Sequence, residues 1–280
     1  MSKIALITGT SSGIGLDTAL ALAEAGFYVV ATMRNLDQAG PLRQAAAAQG
    51  LALDIRPLDV QDDASVAACV QGVLQAHGRI DLLVNNAGSG FLGTLEETPM
   101  AELRAVMEVN FFGVWRVTQA VFGAMRAARS GRIVSVTSIG GLIGQPFNDA
   151  YCAAKFAVEG MMESLAPVAQ RVGVQVSLIE PGPVNTEFVA AVQRKAMSAE
   201  ASPIEAYTPL REAYLAGAKQ AFATLGQSGA DVARVIVEAA TAPVPHLRYA
   251  TSDLIRGLIG RKYVDTTGDA VLALVGARLP

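Results

Sequence analysis

Residues that usually announce a chemistry are scarce in this chain. Among 280 residues there are two cysteines, two histidines and one tryptophan, and charged residues make up 17%. Cys69 and Cys152 are too few for a disulfide framework and lack metal-ligand spacing, so both read as buried thiols and no metal site is expected. His77 and His246 have no evident partner and read as surface or satisfied histidines. A net charge of −3 without a Lys/Arg-rich run argues against a non-specific nucleic-acid binder. No apolar run approaches the ~18–20 residues that cross a bilayer, and the apolar part of MSKIALITG is too short for a signal segment. The expectation is a soluble, cytoplasmic protein. No repeat, low-complexity tract or linker is visible.

What is abundant is alanine, valine, leucine, isoleucine and glycine, the composition of a buried parallel sheet covered by helices. The length suits one large α/β domain. Ile4 to Thr8 is a short apolar run ending in TGTSSGIG, followed by a helical pattern to Ala25, a stop at Gly26, and a second strand from Phe27 to Ala31. Strand, glycine turn, helix and strand make the first half of a dinucleotide-binding unit. Gly9, Gly13 and Gly15 let the backbone of Thr10, Ser11, Ser12 and Ile14 approach a pyrophosphate at the helix start. At the tip of the second strand an acid would hold the ribose of NAD, whereas an arginine accommodates the extra phosphate of NADP. The residues there are Thr32, Met33 and Arg34, so Arg34, helped by the Ser11 hydroxyl, favours NADP(H). Asp37 reads as a helix N-cap.

The alternation continues. Leu51 to Leu58 reads as a strand leading to Asp59, within reach of an adenine edge, and to Val60; Gln61 to His77 reads as a helix. Ile80 to Val84 is a fourth strand, ending in NNAG, where Asn86, Ala87 and Gly88 let the backbone lie against a cofactor. Met100 to Arg129 is one long helical pattern with Asn110 in its middle, a position where asparagine is ordinarily a local hydrogen-bonder. A sixth strand, Gly173 to Ile179, leads into PGPVNTEF, which places Pro181, Gly182, Val184 and Thr186 on the ligand side of the sheet. Residues Glu187 to Gly226 break the rhythm with two helical patterns separated by Ala201, Ser202 and Pro203, and read as a substrate lid. Phe147, Met161, Phe188, Val192, Tyr207 and Leu215 are candidate lining residues. His246 to Ala250 reads as a last strand. In the extension from Thr251 to Pro280, Leu254, Ile255, Leu258 and Ile259 form an apolar stripe beside Arg256, Arg261 and Lys262. That stripe suits a packed lid or a subunit contact better than a membrane surface.

The stretch SIGGLIGQPFNDAYCAAK, Ser138 to Lys155, carries the chemistry. It follows an apolar fifth strand, Ile133 to Thr137, and passes through a glycine-rich loop. It then enters a helix capped at Asn148 or Asp149 that runs to about Arg171. Tyr151 and Lys155, four apart, share one helix face, and the loop lets Ser138 reach the same place. A phenol titrates near ~10, so a base at neutral pH needs it lowered by roughly three units. The expectation is that the Lys155 ammonium, helped by the charge of an oxidised nicotinamide and a hydrogen bond, lowers Tyr151 and that Ser138 holds the substrate oxygen.

With TGTSSGIG, NNAG, Asn110, Ser138, YCAAK and PGPVNT in chain order, the sequence resembles the short-chain dehydrogenase/reductase family from the first strand to about Thr186. The resemblance implies a Rossmann-type doubly wound parallel sheet of about seven strands in the order 3-2-1-4-5-6-7. It also implies a catalytic group of Asn110, Ser138, Tyr151 and Lys155, and a homodimer or homotetramer packed through two long helices. Asn110 would kink its helix around a water site leading to Lys155. Lys155 would also hold the nicotinamide ribose. TGTSSGIGL, ATMRN, GGLIGQPFNDAYCAAKFAVEG, GPVNT and HLRYAT are most similar to the 17β-hydroxysteroid dehydrogenase type 1 and retinol dehydrogenase group, which generally prefers NADP(H). Gly217 departs from that group's steroid enzyme, which has a histidine there toward the far end of the steroid. The expected activity is hydride transfer between NADP(H) and a small hydrophobic carbonyl or alcohol, with an NAD-linked dehydrogenase and a catalytically silent NADP sensor as rivals.

Overall fold

The strands are short, apolar and fully covered. In β1 (Ile4–Thr8) all five residues are buried, and they alternate between two cores. Ile4 and Leu6 face one apolar cluster, Ala5 and Ile7 the other, as the period of two in an extended chain requires. A computed structural model describes residues 2–186, 204–264, 267 and 269–277. In it β1 pairs in parallel with β2 (Tyr28–Met33) on one side and β4 (Leu82–Asn85) on the other. β3 (Asp54–Pro57) extends the β2 edge, while β5 (Gly131–Val136), β6 (Val174–Glu180) and β7 (Arg248–Ala250) follow β4, giving the order β3-β2-β1-β4-β5-β6-β7. The Rossmann-type sheet implied by the resemblance is the one observed. Strand order reverses between β1 and β4, and at such a switch point the loops leaving the strands open a crevice.

Helices cover both faces. The face with Leu6 and Ile133 is covered by α3 (Asp63–His77), α5 (Gly113–Ala128) and α6 (Asp149–Arg171), through Val66, Val70, Val117, Val121, Val158 and Met162. The other face is covered by α1 (Gly13–Glu24), α2 (Gly40–Ala48) and a later helix, Gly229–Thr241, through Leu22, Leu42, Ile236 and Ala239. Local chemistry sets the starts. Asp62 caps α3 by accepting from Ala64 N at 2.8 Å, and Ser228 and Asp231 form a reciprocal capping box at Gly229. Asn35, not Asp37, is the cap after β2: its Oδ1 accepts from Asp37 N at 2.9 Å. Both are short polar side chains, and the extended backbone at Asn35 decides between them.

The long pattern from Met100 is interrupted. α4 (Met100–Met107) passes through a π-turn, Glu108–Phe112, before α5 begins. Asn110 sits in that turn, so the expected kink has a definite form. Beyond β6 the described residues include a short turn, Glu205–Tyr207, and α7 (Thr208–Leu225), which leads to α8 (Gly229–Thr241). Phe188 and Val192 lie outside the described residues. After β7 come α9 (Asp253–Val264) and α10 (Asp269–Gly276). Ile255 of α9 is buried against Ile139, Leu142 and Ile143, with Leu258 and Ile259 packed beside it, so much of the apolar stripe is covered by the chain itself. Among the described residues no helix is long and apolar enough to cross a membrane.

Candidate active site

The loops after β1 and β4 are knotted together by one side chain. Asn86 Nδ2 donates to the carbonyls of Thr8 and Gly9, both at 2.9 Å, and Thr8 Oγ1 accepts from Asn86 N and Ala87 N at 3.0 Å. Gly9 has φ +72°, and a Cβ there would lie 2.7 Å from Ala87 Cα. Gly15 is pressed closer still: a Cβ would overlap the Gly9 carbonyl and Asn86 Nδ2. The sequence places the Asn86 backbone at the cofactor, and its side-chain amide holds the glycine loop in shape. Thr10 is buried, with N and Oγ1 both on the Thr32 carbonyl. Ser12 is the N-cap of α1 and makes no side-chain cap bond, and no acid stands in the first turn. The start of α1 therefore presents backbone N–H groups to an anion.

Arg34 is exposed at the tip of β2, and no ion pair occupies its guanidinium among the described residues. Asp59 Oδ1 accepts from Gln61 N at 3.0 Å, closing a tight turn. Val60 is buried against Gly113 and its carbonyl accepts from Arg116 Nη1 at 2.5 Å, so it braces α5 against the β3 loop. On the far side, the Pro181 carbonyl accepts from Ile139 N at 2.8 Å. Gly182 faces Ile255, Val184 bridges to Gln227, and Thr186 lies 3.1 Å from where a Gly13 Cβ would stand. The PGPVNT segment thus reaches the glycine loop.

Ser138, Tyr151 and Lys155 do converge. The Ser138 hydroxyl is hydrogen-bonded to the Tyr151 phenol and accepts from Gly140 N at 3.0 Å. Lys155 is buried, donates to the Val136 carbonyl at 3.0 Å, and its Nζ lies 5.8 Å from the Tyr151 ring centre. The expected lowering of the phenol counts on the cofactor's charge as well, and the protein's own groups do not supply it. Burial pushes Tyr151 up to about 12, with the Ser138 hydrogen bond only partly opposing it. Burial also pushes Lys155 down to about 8, opposed by Glu159. Spacing on a helix makes two residues neighbours; desolvation is the largest influence on each.

Lys155 carries a stability cost with a definite sign. Its charged form is disfavoured in the fold below about 8, and the penalty is relieved as pH rises from there towards the ordinary lysine value of 10.5. Lys155→Met is therefore expected to be the more stable protein at pH 7, by about 1 kcal/mol, the relieved desolvation less the cost of a Val136 carbonyl left without its donor. Urea unfolding should show the gap closing towards pH 10; a less stable variant at pH 7 would contradict it.

Asn110 is fully buried and fully engaged. Its Oδ1 accepts from Ser89 N at 3.1 Å, and Nδ2 donates to the carbonyls of Ser89 (2.8 Å) and Val106 (3.0 Å). It clamps the loop after β4 and meets Lys155 only across Gly88, whose Cβ position is 2.9 Å from Asn110 Oδ1 and 3.8 Å from Lys155 Nζ.

Above this group, α7 docks onto the entry to α6. Asn148 caps α6 in position but makes no side-chain cap bond; its Nδ2 donates to Pro146 O and to Tyr214 Oη, both at 2.9 Å. Phe147, at φ +61°, stacks on Tyr214 with ring centres 5.5 Å apart. Tyr207 donates to Glu96 at 2.9 Å. Of the other lining candidates, Leu215 is half-buried on α7, whereas Met161 packs into the core beneath the sheet. Tyr214 was missed because nothing local marks a buried tyrosine. The His77 ring lies tilted against Tyr28 and the His246 ring against Tyr249, but His77 Nε2 is buried without a hydrogen-bond partner, so His77 is not the satisfied histidine expected.

A parallel sheet of this order with a glycine loop at its switch point defines a dinucleotide-binding oxidoreductase architecture. The family model described as short chain dehydrogenase matches residues 3–197, and the chain belongs to that family. It is 41% identical to bovine (Bos taurus) retinol dehydrogenase 8 over 95% of this chain and 86% of that protein. It is 42% identical to human 17-beta-hydroxysteroid dehydrogenase type 1 over 95% of this chain and 82% of that one. Among solved structures, a short chain dehydrogenase/reductase from Burkholderia phymatum in complex with NAD superposes with TM-score 0.80 at 27% identity, covering 94% of each chain. A metagenomic short-chain oxidoreductase in complex with NADP gives TM-score 0.70 at 27% identity, covering 89% of this chain and 97% of that one. The family binds a nicotinamide cofactor, and the residues here fit one: an uncapped helix start, a glycine loop with no room for side chains, and a half-buried phenol at the crevice.

Proposed function

We propose that this chain is an NADP(H)-dependent carbonyl reductase and alcohol dehydrogenase for bulky hydrophobic substrates, working mainly in the direction of reduction. The observation that carries the reading is the convergence of Ser138, Tyr151 and Lys155, with Lys155 against the loop of Ala87 and Gly88 that packs on Gly9. The bound nicotinamide would supply or accept the hydride. With its phenol held up near 12, Tyr151 is protonated at neutral pH and is poised to deliver a proton to a carbonyl oxygen. The Ser138 hydroxyl, held by Gly140 N, orients the phenol and offers a hydrogen bond where negative charge develops. Lys155 places a positive charge beside the phenol and stabilises the phenolate left after transfer. Asn110 acts by position, fixing the Ser89 loop against the α4–α5 turn. Gly9, Thr10, Ser11, Ser12, Gly13, Ile14 and Gly15 would hold the pyrophosphate, with Asp59, Val60, Ala87 and Gly88 along the adenosine and ribose, and Pro181 to Thr186 at the nicotinamide.

Arg34 supports NADP over NAD, because an exposed, unoccupied guanidinium at the tip of β2 suits a 2′-phosphate. Substrate would enter under the 187–226 lid, against Phe147, Leu215 and Tyr214. The relatives named for retinol and steroid motivate the hydrophobic class. Consumption of NADPH and of NADH, measured against steroids, retinoids, long-chain aldehydes and aryl ketones, tests the reading. Efficiency with NADPH should exceed that with NADH, and Arg34→Ala should erode the preference roughly 10- to 100-fold, the range for one charge-assisted contact. Equal efficiency with NADH in the parent protein would remove the Arg34 assignment.

A further inference from the structure

Three consecutive residues at the end of β5 each hold one side chain from a single row on α6. The Val136 carbonyl accepts from Lys155, Thr137 Oγ1 donates to Glu159 Oε1 at 2.5 Å, and Ser138 is hydrogen-bonded to Tyr151. Tyr151, Lys155 and Glu159 stand at i, i+4 and i+8, so they line one stripe of the helix. Two of them form the proton-transfer pair. The third is a carboxylate only 4% exposed that the mechanism above does not use.

A buried carboxylate is costly unless it is partnered. Glu159 is partnered by Arg248 of β7, which also reaches Glu180 Oε1 of β6 at 2.8 Å and Glu163 Oε2 of α6 at 2.7 Å. The Arg248 guanidinium lies 5.7 Å from the ring centre of Tyr263 on α9. Lys155, Glu163, Glu180, Arg248 and Tyr263 are thus the charged and titratable groups around Glu159. α6 also lies close to the loop that carries Ser138: a Cβ at Gly141 would stand 3.1 Å from both Glu159 Cγ and the Lys155 carbonyl. The row therefore cannot shift without moving that loop.

Resting on the reading of Tyr151 and Lys155 given above, we propose that Glu159 is a positioning residue for the pair, acting with Arg248 to keep the Lys155 ammonium charged and seated on β5. Burial pushes the Glu159 carboxyl up, and Thr137 and Arg248 work against burial to keep it ionised. The ionised carboxylate in turn works against the burial that lowers Lys155. The influence runs from Arg248 through Glu159 to Lys155.

The test follows the Lys155 ammonium directly by nitrogen-15 NMR titration of the cofactor-free protein, resolved from Lys3, Lys195, Lys219 and Lys262. Glu159→Gln should lower the Lys155 titration by about one unit, the scale of one nearby opposite charge. The alkaline limb of kcat with NADPH should move down with it, leaving KM for the carbonyl substrate little altered. Glu180→Gln removes a carboxylate from the same Arg248 and should leave the Lys155 titration in place. Thr137→Val keeps the carboxylate but takes away the hydroxyl that favours its charge, so it should act as a weaker Glu159→Gln and serves if that variant does not fold. An unmoved Lys155 in Glu159→Gln, or an equal movement in Glu180→Gln, overturns the proposal. A moved Lys155 in a protein that turns over no carbonyl would support the coupling and sink the oxidoreductase reading instead.

Discussion

Tyr151→Phe should lower kcat/KM for carbonyl reduction about a thousandfold, within the range for loss of a general acid, with the dissociation constant for NADPH essentially unchanged. The phenol oxygen is the only atom removed, and the ring stays where it is, half-buried at the crevice. The Ser138 hydroxyl loses its partner but keeps the Gly140 N–H, so the loop should hold its shape. Fluorescence titration with NADPH alongside steady-state kinetics separates the two quantities. Retained turnover would mean that some other group delivers the proton, and the assignment of Tyr151 would go. A protein that only senses NADP(H) would behave alike with tyrosine or phenylalanine.

Gly15→Ala should be nearly as damaging, by a different route. The added methyl would overlap the Gly9 carbonyl oxygen and the Asn86 amide, groups fixed to each other by a hydrogen bond at 2.9 Å. Neither is the free end of a flexible side chain, so the loop must open. A loss of roughly 2–3 kcal/mol in stability is expected from such overpacking, and a loss of cofactor affinity of at least about a hundredfold, since the same N–H groups would be displaced. Gly217→Ala is the matched control. No atom lies within 4 Å of a Cβ there, and the residue is exposed on α7, so the exchange should be neutral or slightly stabilising. Thermal melts with and without NADPH would show both effects, and a Gly15→Ala protein with parent-like affinity would refute the account of the loop.

The strands were legible because a parallel sheet buries both faces and leaves continuous apolar runs, as in Ile4–Thr8 and Val174–Glu180. β3 was overextended to Leu51 because it is an edge strand, where an apolar residue can equally belong to the approaching loop. The glycine loop, Ser138, Tyr151 and Lys155 were legible through spacing, which fixes who is adjacent. Spacing says nothing of how dry the neighbourhood is: the protein's own groups hold Tyr151 up, and the expected lowering rests on the cofactor's charge. Glu159 carried the same signal, one turn beyond Lys155, but its burial depends on Arg248, which sits 89 positions further along the chain. Pattern placed Asn86 at the cofactor and Asn110 in the catalytic group; both use their amides on backbone groups that shape the crevice.

The π-turn at Glu108–Phe112 holds one residue more than an ordinary helical turn would. Deleting a single residue there would leave a regular helix with the phase beyond it nearly unchanged, because a π-turn takes up its extra residue within one wide turn. Val117, Val121 and Met125 would still face the interior, but Asn110 would be drawn away from Ser89. The extra residue is therefore held by the reach of Asn110 and not by helical phase, and natural variants of this chain that lose it should lose the asparagine with it.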